Sequence, residues 1–139
     1  MKTLYSILLS ASGLSQREAA IFHGARLDTV KSWSAGRNAA PAGAIQELVD
    51  LIDRMMTAVD AGVEQMEKMQ AQHPVTGEIE LGLCSDDHEA QSLGWPSASV
   101  HSRVIGLLAA EAIAAGHAVK TVPRGSTVAT AAAIDAHHQ

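Results

Sequence analysis

A single cysteine, Cys84, stands among 139 residues, so no disulfide can form within the chain and no cysteine-rich zinc module can be assembled. A reducing, cytoplasmic setting is expected. Aromatic residues are equally scarce: Tyr5, Phe22, Trp33 and Trp95 amount to 3% of the sequence. That disfavours sheet-type readers of unpaired RNA, which stack bases on aromatic rings. Long apolar runs are missing as well. The longest, Val104 to Ala110, is far below the ~20 residues that cross a bilayer, so no membrane association is expected. Near the N-terminus a lysine, an apolar stretch and small residues follow one another as in a secretory signal. The stretch from Leu4 to Leu9 is interrupted by Ser6 and is too short for that role, and its spacing fits a helix face.

Catalytic signatures are also lacking. GxSxG, GxxxxGKS, GxGxxG and HExxH do not occur, and Pro123-Arg124-Gly125-Ser126-Thr127 is too generic for a phosphate loop. Cys84, Asp86, Asp87, His88 and Glu89 form one local cluster, but they mix soft and hard ligand types without a metal-binding spacing, and an acidic solvated loop is the expected reading. His101 and His117 sit at opposite ends of one expected helix, ~24 Å apart, and cannot share a site. No enzyme, metal or cofactor is expected.

What is present is core-forming material: 47% of residues are hydrophobic and 18% charged, a composition that folds. The length suits one domain or a small domain with an accessory piece. Lysine and arginine number 10 against 15 acids, a balance that by itself discourages contact with DNA. The average hides a division near Pro41. Residues 1–41 carry Lys2, Arg17, Arg26, Lys31 and Arg37 against Glu18 and Asp28, a net of +3, which leaves -8 for residues 42–139. A basic reader of nucleic acid joined to an acidic accessory part shows this asymmetry, and so does a solvated charge pattern with no partner.

Local signals then place the elements. Ser15-Gln16-Arg17-Glu18 is a capping box opening a helix, and Gly24 supplies its left-handed end. A second short helix, opened by Asp28 or by Arg26-Leu27, runs to Gly36. Two short helices joined by three or four residues containing glycine form a helix-turn-helix unit. Ala19, Ala20, Val30 and Trp33 are expected to fill the angle, with Asp28, Thr29, Lys31 and Ser32 facing outward. From Pro41 a long helix is expected to about Gln72, ended by His73-Pro74. Its apolar residues Ile45, Leu48, Ile52, Met55, Val59, Met66 and Met69 make a heptad seam, widened on one flank by Val49, Met56 and Val63. Alternation from Val75 to Leu83 predicts a strand, residues 84–95 a loop, Pro96-Ser97 to Gly116 a helix, and Ala118 to Val122 a second strand. Strand, helix and strand in that order imply a crossover onto a small parallel sheet, which a second copy could extend. Residues 125–139 read as a helix or a loose tail. The fold class is therefore mostly α with a small α/β C-terminal part, divided into residues 1–72 and 73–139.

The segment from Leu14 to Pro41, LSQREAAIFHGARLDTVKSWSAGRNAAP, resembles the lambda-repressor-like (Cro/repressor, or XRE-type) helix-turn-helix regulators. Ser15-Gln16 opens the supporting helix, Ala20 and Gly24 occupy small positions, Val30 and Trp33 core positions, and Gly36 and Pro41 close the unit. Ala19, Ala25 and Ser34 depart from the family's usual residues. The appended C-terminal half is similar to dimerisation domains of small phage or anti-CRISPR-associated repressors. The resemblance implies a helical DNA-binding domain with a long fourth helix over residues 1–72, and a strand-helix-strand dimerisation or effector domain over residues 73–139. It further implies a homodimeric, sequence-specific repressor of double-stranded DNA whose helix around residues 27–35 enters the major groove of a palindromic operator. The candidate DNA-binding residues are then Arg26, Asp28, Thr29, Lys31 and Ser32 toward bases, and Gln16, Arg17, Arg37 and Asn38 toward phosphates. Asp28 competes for a second role as a helix cap. Two other functions stand beside this one: an antitoxin-like protein whose acidic C-terminal half binds a partner protein, and a small-ligand sensor.

Overall fold

The computed structural model describes residues 2–74 and 77–124. Helix α1 (Leu4–Ser12) opens with a capping box in which the Thr3 hydroxyl accepts from the Ser6 amide, and it ends at Gly13. Helix α2 (Gln16–His23) has the expected box: the Ser15 hydroxyl accepts from the Glu18 amide at 3.1 Å and the Glu18 carboxylate accepts from the Ser15 amide at 2.8 Å. Two otherwise orphaned amides are satisfied by one four-residue segment. Helix α3 (Leu27–Ala35) starts after Arg26 and carries no side-chain cap. Helix α4 (Ala42–Gln72) runs for 31 residues. Strand β1 (Ile79–Leu83), helices α5 (Asp87–Ser92) and α6 (Ala98–Ala114), and strand β2 (Val119–Pro123) follow.

The chain divides into two compact units, Met1–Arg54 and Met55–Gln139. Their boundary lies inside α4, whereas the helix end at residue 72 was the expected one. In the first unit Tyr5, Leu9, Leu14, Ala19, Ala20, Val30, Leu48 and Leu51 are buried. Ala19 is fully buried, so the small side chain lets α2 and α3 pack directly together.

In the second unit β1 and β2 are parallel, pairing Ile79 with Val119 through Leu83 with Pro123. Helix α6 joins them and lies against both. Its Ile105, Leu108 and Ala112 pack with Ile79 and Leu81 of β1 and with Met66 of α4. Glu80 stands opposite Lys120 in the register, and their side chains pair at 3.3 Å. The architecture is mostly helical with one small two-stranded parallel sheet near the C-terminal end of the described residues. The loop expected over residues 84–95 is corrected in part: Asp86 caps α5 by accepting from the Glu89 amide at 2.8 Å. The expected tail, residues 125–139, lies outside the described residues.

Candidate nucleic-acid interface

The α2–turn–α3 unit is built from both sides of one sharp turn. Gly24 takes φ +69°, and the Ala25 amide donates back to the Ala20 carbonyl at 2.8 Å. This left-handed ending closes α2 and redirects the chain within three residues, Gly24 to Arg26, before α3 begins. Val30 is fully buried, which fixes the rotation of α3 about its own axis. Asp28 and Lys31 are consequently exposed, and Thr29 is half-buried.

The far end of α3 is held just as closely. Gly36 has φ +80°, and the Arg37 amide donates to the Ser32 carbonyl at 3.0 Å. The Thr3 hydroxyl donates to the Ser34 carbonyl at 3.2 Å, so the residue that caps α1 also ties down the last turn of α3. Asn38 Nδ2 donates to Ser32 Oγ at 2.6 Å.

Ser32 is only 8% exposed. Its expected outward position is therefore corrected: the chain leaving α3 folds Asn38 back over it, and its hydroxyl is engaged inside the protein. Asn38 itself is exposed, with its amide nitrogen committed to Ser32. Asp28 makes no side-chain capping bond, because the helix begins at Leu27 and places it in the first turn. There its charge still favours the positive end of the helix dipole.

Gln16, Arg17, Arg26, Lys31 and Arg37 are all exposed. None of the four cations forms an ion pair with another described residue. They stand on α2, on the turn, on α3 and just after α3. Exposed guanidinium and ammonium groups distributed in this way can meet successive backbone phosphates, while Lys31 and the half-buried Thr29 offer a donor and a methyl group to base edges.

Beneath this surface lies a cluster that no sequence spacing announced. His23, the last residue of α2, places Nε2 3.0 Å from the Tyr5 hydroxyl of α1 and Nδ1 3.0 Å from a Glu47 carboxylate oxygen of α4. The Tyr5 and Trp33 rings meet edge to face at 5.4 Å, and His23 lies 5.8 Å from each. Burial raises the Tyr5 pKa to about 12, with the Glu47 carboxylate adding in the same direction. The cluster thus locks all four helices that contribute to the first unit. Its partners are 18 and 24 residues apart in sequence, so no local motif could reveal it.

Elsewhere the acidic cluster is accounted for by backbone bonds. Asp86 caps α5, Glu89 accepts from the Ser85 amide at 2.9 Å, and Asp87 accepts from the Ala98 amide at 2.8 Å. Among the described residues no group of three or more metal-ligating side chains converges. No described helix is long and apolar enough to cross a membrane. Compared with protein-family models and with curated proteins, the chain matches none.

Proposed function

We propose that this protein is a sequence-specific DNA-binding regulator, acting by binding rather than by catalysis, and in the cytoplasm. The observation that carries the reading is the α2–turn–α3 unit, which hides Ala20 and Val30 while leaving Arg17, Arg26, Lys31 and Arg37 exposed and unpaired among the described residues. In this reading residues 2–54 form a lambda-repressor-like reading domain and the strand-helix-strand part serves dimerisation. The N-terminal end of α3 enters the major groove. Lys31, Arg26 and Thr29 face bases, Gln16, Arg17 and Arg37 hold phosphates, and Asp28 discriminates by repelling phosphate or accepting from a cytosine amino group. Ser32 and Asn38 support α3 from behind. A homodimer sets two such helices about 34 Å apart on a palindromic site, and occupancy of that site represses transcription.

The test begins with selection from a random pool of duplex DNA, followed by salt titration of the selected duplex against wild type, Lys31→Ala and Arg37→Ala. Each phosphate contact removed lowers the slope of log affinity against log salt by about 1. Arg37→Ala should weaken binding to all sequences alike, whereas Lys31→Ala should also relax preference at one position. No enrichment from the pool, or affinities unchanged in both variants, would reject the assigned surface.

A further inference from the structure

Helix α6 has one face turned away from the sheet, and apolar and charged side chains stand on it together. Leu107 is 44% exposed, and Met56 of α4, which lines the same groove, is 59% exposed. Met56, Val59, Asp60, Leu107, Ala110, Glu111 and Ala114 line an open groove of about 340 Å³ within the second unit. Apart from the buried His101, α6 has two ionisable side chains, Arg103 and Glu111. Both are exposed. Each lies one helical turn from Leu107, Arg103 four residues before it and Glu111 four residues after, on the same side of the helix.

We propose that this face is the seat of a second copy of the chain, packed with the two α6 helices antiparallel about a two-fold axis beside Leu107. The proposal rests on the homodimeric part of the reading above and names its interface. The spacing is self-complementary: reversing the helix direction about Leu107 sets Arg103 opposite the partner's Glu111, and the same operator repeats the pair on the other side. Asp60, on the groove wall, adds a second carboxylate for the incoming guanidinium. No described residue of its own chain pairs with Arg103, and both Leu107 side chains enter apolar surroundings.

The protein should sediment as a dimer in the absence of DNA. Arg103→Glu and Glu111→Arg, made singly, each bring like charges together twice and should raise the dimer dissociation constant about tenfold or more. The double swap Arg103→Glu/Glu111→Arg restores opposite pairs and should return it to near the wild-type value, a rescue that a merely misfolded variant cannot show. Helical circular dichroism confirms that each variant is folded. A wild-type monomer across the micromolar range, single reversals without effect, or a folded double swap that stays monomeric would each overturn the interface. Because no DNA is present, a dimer that binds no duplex removes the DNA reading and leaves this interface standing.

Discussion

Tyr5 is the only tyrosine in the chain, and it is 2% exposed in the first unit. Ionising it would leave an anion in a desolvated site facing the Glu47 carboxylate across His23, which is why its pKa rises from 10.0 to about 12. The folded state therefore holds this proton more tightly than the unfolded chain does. The resulting stabilisation is complete below pH 10 and is lost as pH rises from 10 toward 12. Two pKa units correspond to about 3 kcal/mol. Phenylalanine at this position keeps the ring packed on Trp33 and His23 and removes the hydroxyl. At neutral pH Tyr5→Phe should cost about 1–3 kcal/mol, because His23 Nε2, in a side chain only 2% exposed, loses its partner.

Two measurements separate these effects. The absorbance of tyrosinate, arising from one residue, should titrate near pH 12 in native protein and near pH 10 in urea. Urea unfolding at pH 7 and at pH 11 should show wild type losing stability between them, with the part due to Tyr5 absent from Tyr5→Phe. A native tyrosinate midpoint at 10, or a variant as stable as wild type with the same alkaline loss, would refute the proton-locked cluster.

The glycines that end α2 and α3 should differ. An added Cβ at Gly36 lies 3.2 Å from Thr3 Cγ2 and the residue has φ +80°, whereas at Gly24, φ +69°, it meets nothing within 4 Å. Gly24→Ala should cost about 1–2 kcal/mol from backbone strain alone, and Gly36→Ala more; equal losses in urea unfolding would contradict the close approach of α1. Asn38→Ala should destabilise the first unit by about 1 kcal/mol through loss of the bond to Ser32. Asn38→Asp should recover most of that in the same assay, since the Ser32 hydroxyl can then donate.

Features written in a few adjacent residues were legible. The Ser15 to Glu18 box and the glycines at 24 and 36 act within four residues of themselves, and the structure places helix ends at each. The two-residue alternation of Ile79, Leu81 and Leu83 marks β1, in which Ile79 and Leu81 are buried and Leu83 half-buried. Helix α5 carries no such signal, for the converse reason. It has six residues and buries only Ala90, so no periodicity accumulates; Asp86 was visible as an acid but not as a cap. At Ser32 residue type and helical position both favour solvent, yet the side chain is buried. Its burial depends on Asn38, six residues later, turning back after Gly36. The Tyr5–His23–Glu47 chain is further still from legibility, because a tertiary contact between three helices leaves no trace in spacing.

Helix α4 shows where periodicity itself stops being informative. The seam from Ile45 to Met69 predicted one continuous amphipathic helix, and Leu48, Met55, Val59 and Met66 on it are buried. Yet Leu51, Ala44 and Ala58, off that seam, are buried too, while Ile45 and Ile52 on it are only half-buried. A spacing of three and four states which face is apolar; it does not state what covers that face. In α4 the cover changes along the helix: up to Arg54 it belongs to the first unit and from Met55 to the second. The buried positions Ala44, Leu48, Leu51, Met55, Ala58 and Met66 keep one stripe along the helix, and the heptad pattern passes through Arg54-Met55 without a break. On the flank, Val49 and Met56 remain 41% and 59% exposed. In the interface proposed for α6, Met56 is the α4 residue that a second copy would cover. That is why the charge-swap pair on α6, whose groove Met56 lines, tests more of this molecule than any substitution in its buried cores.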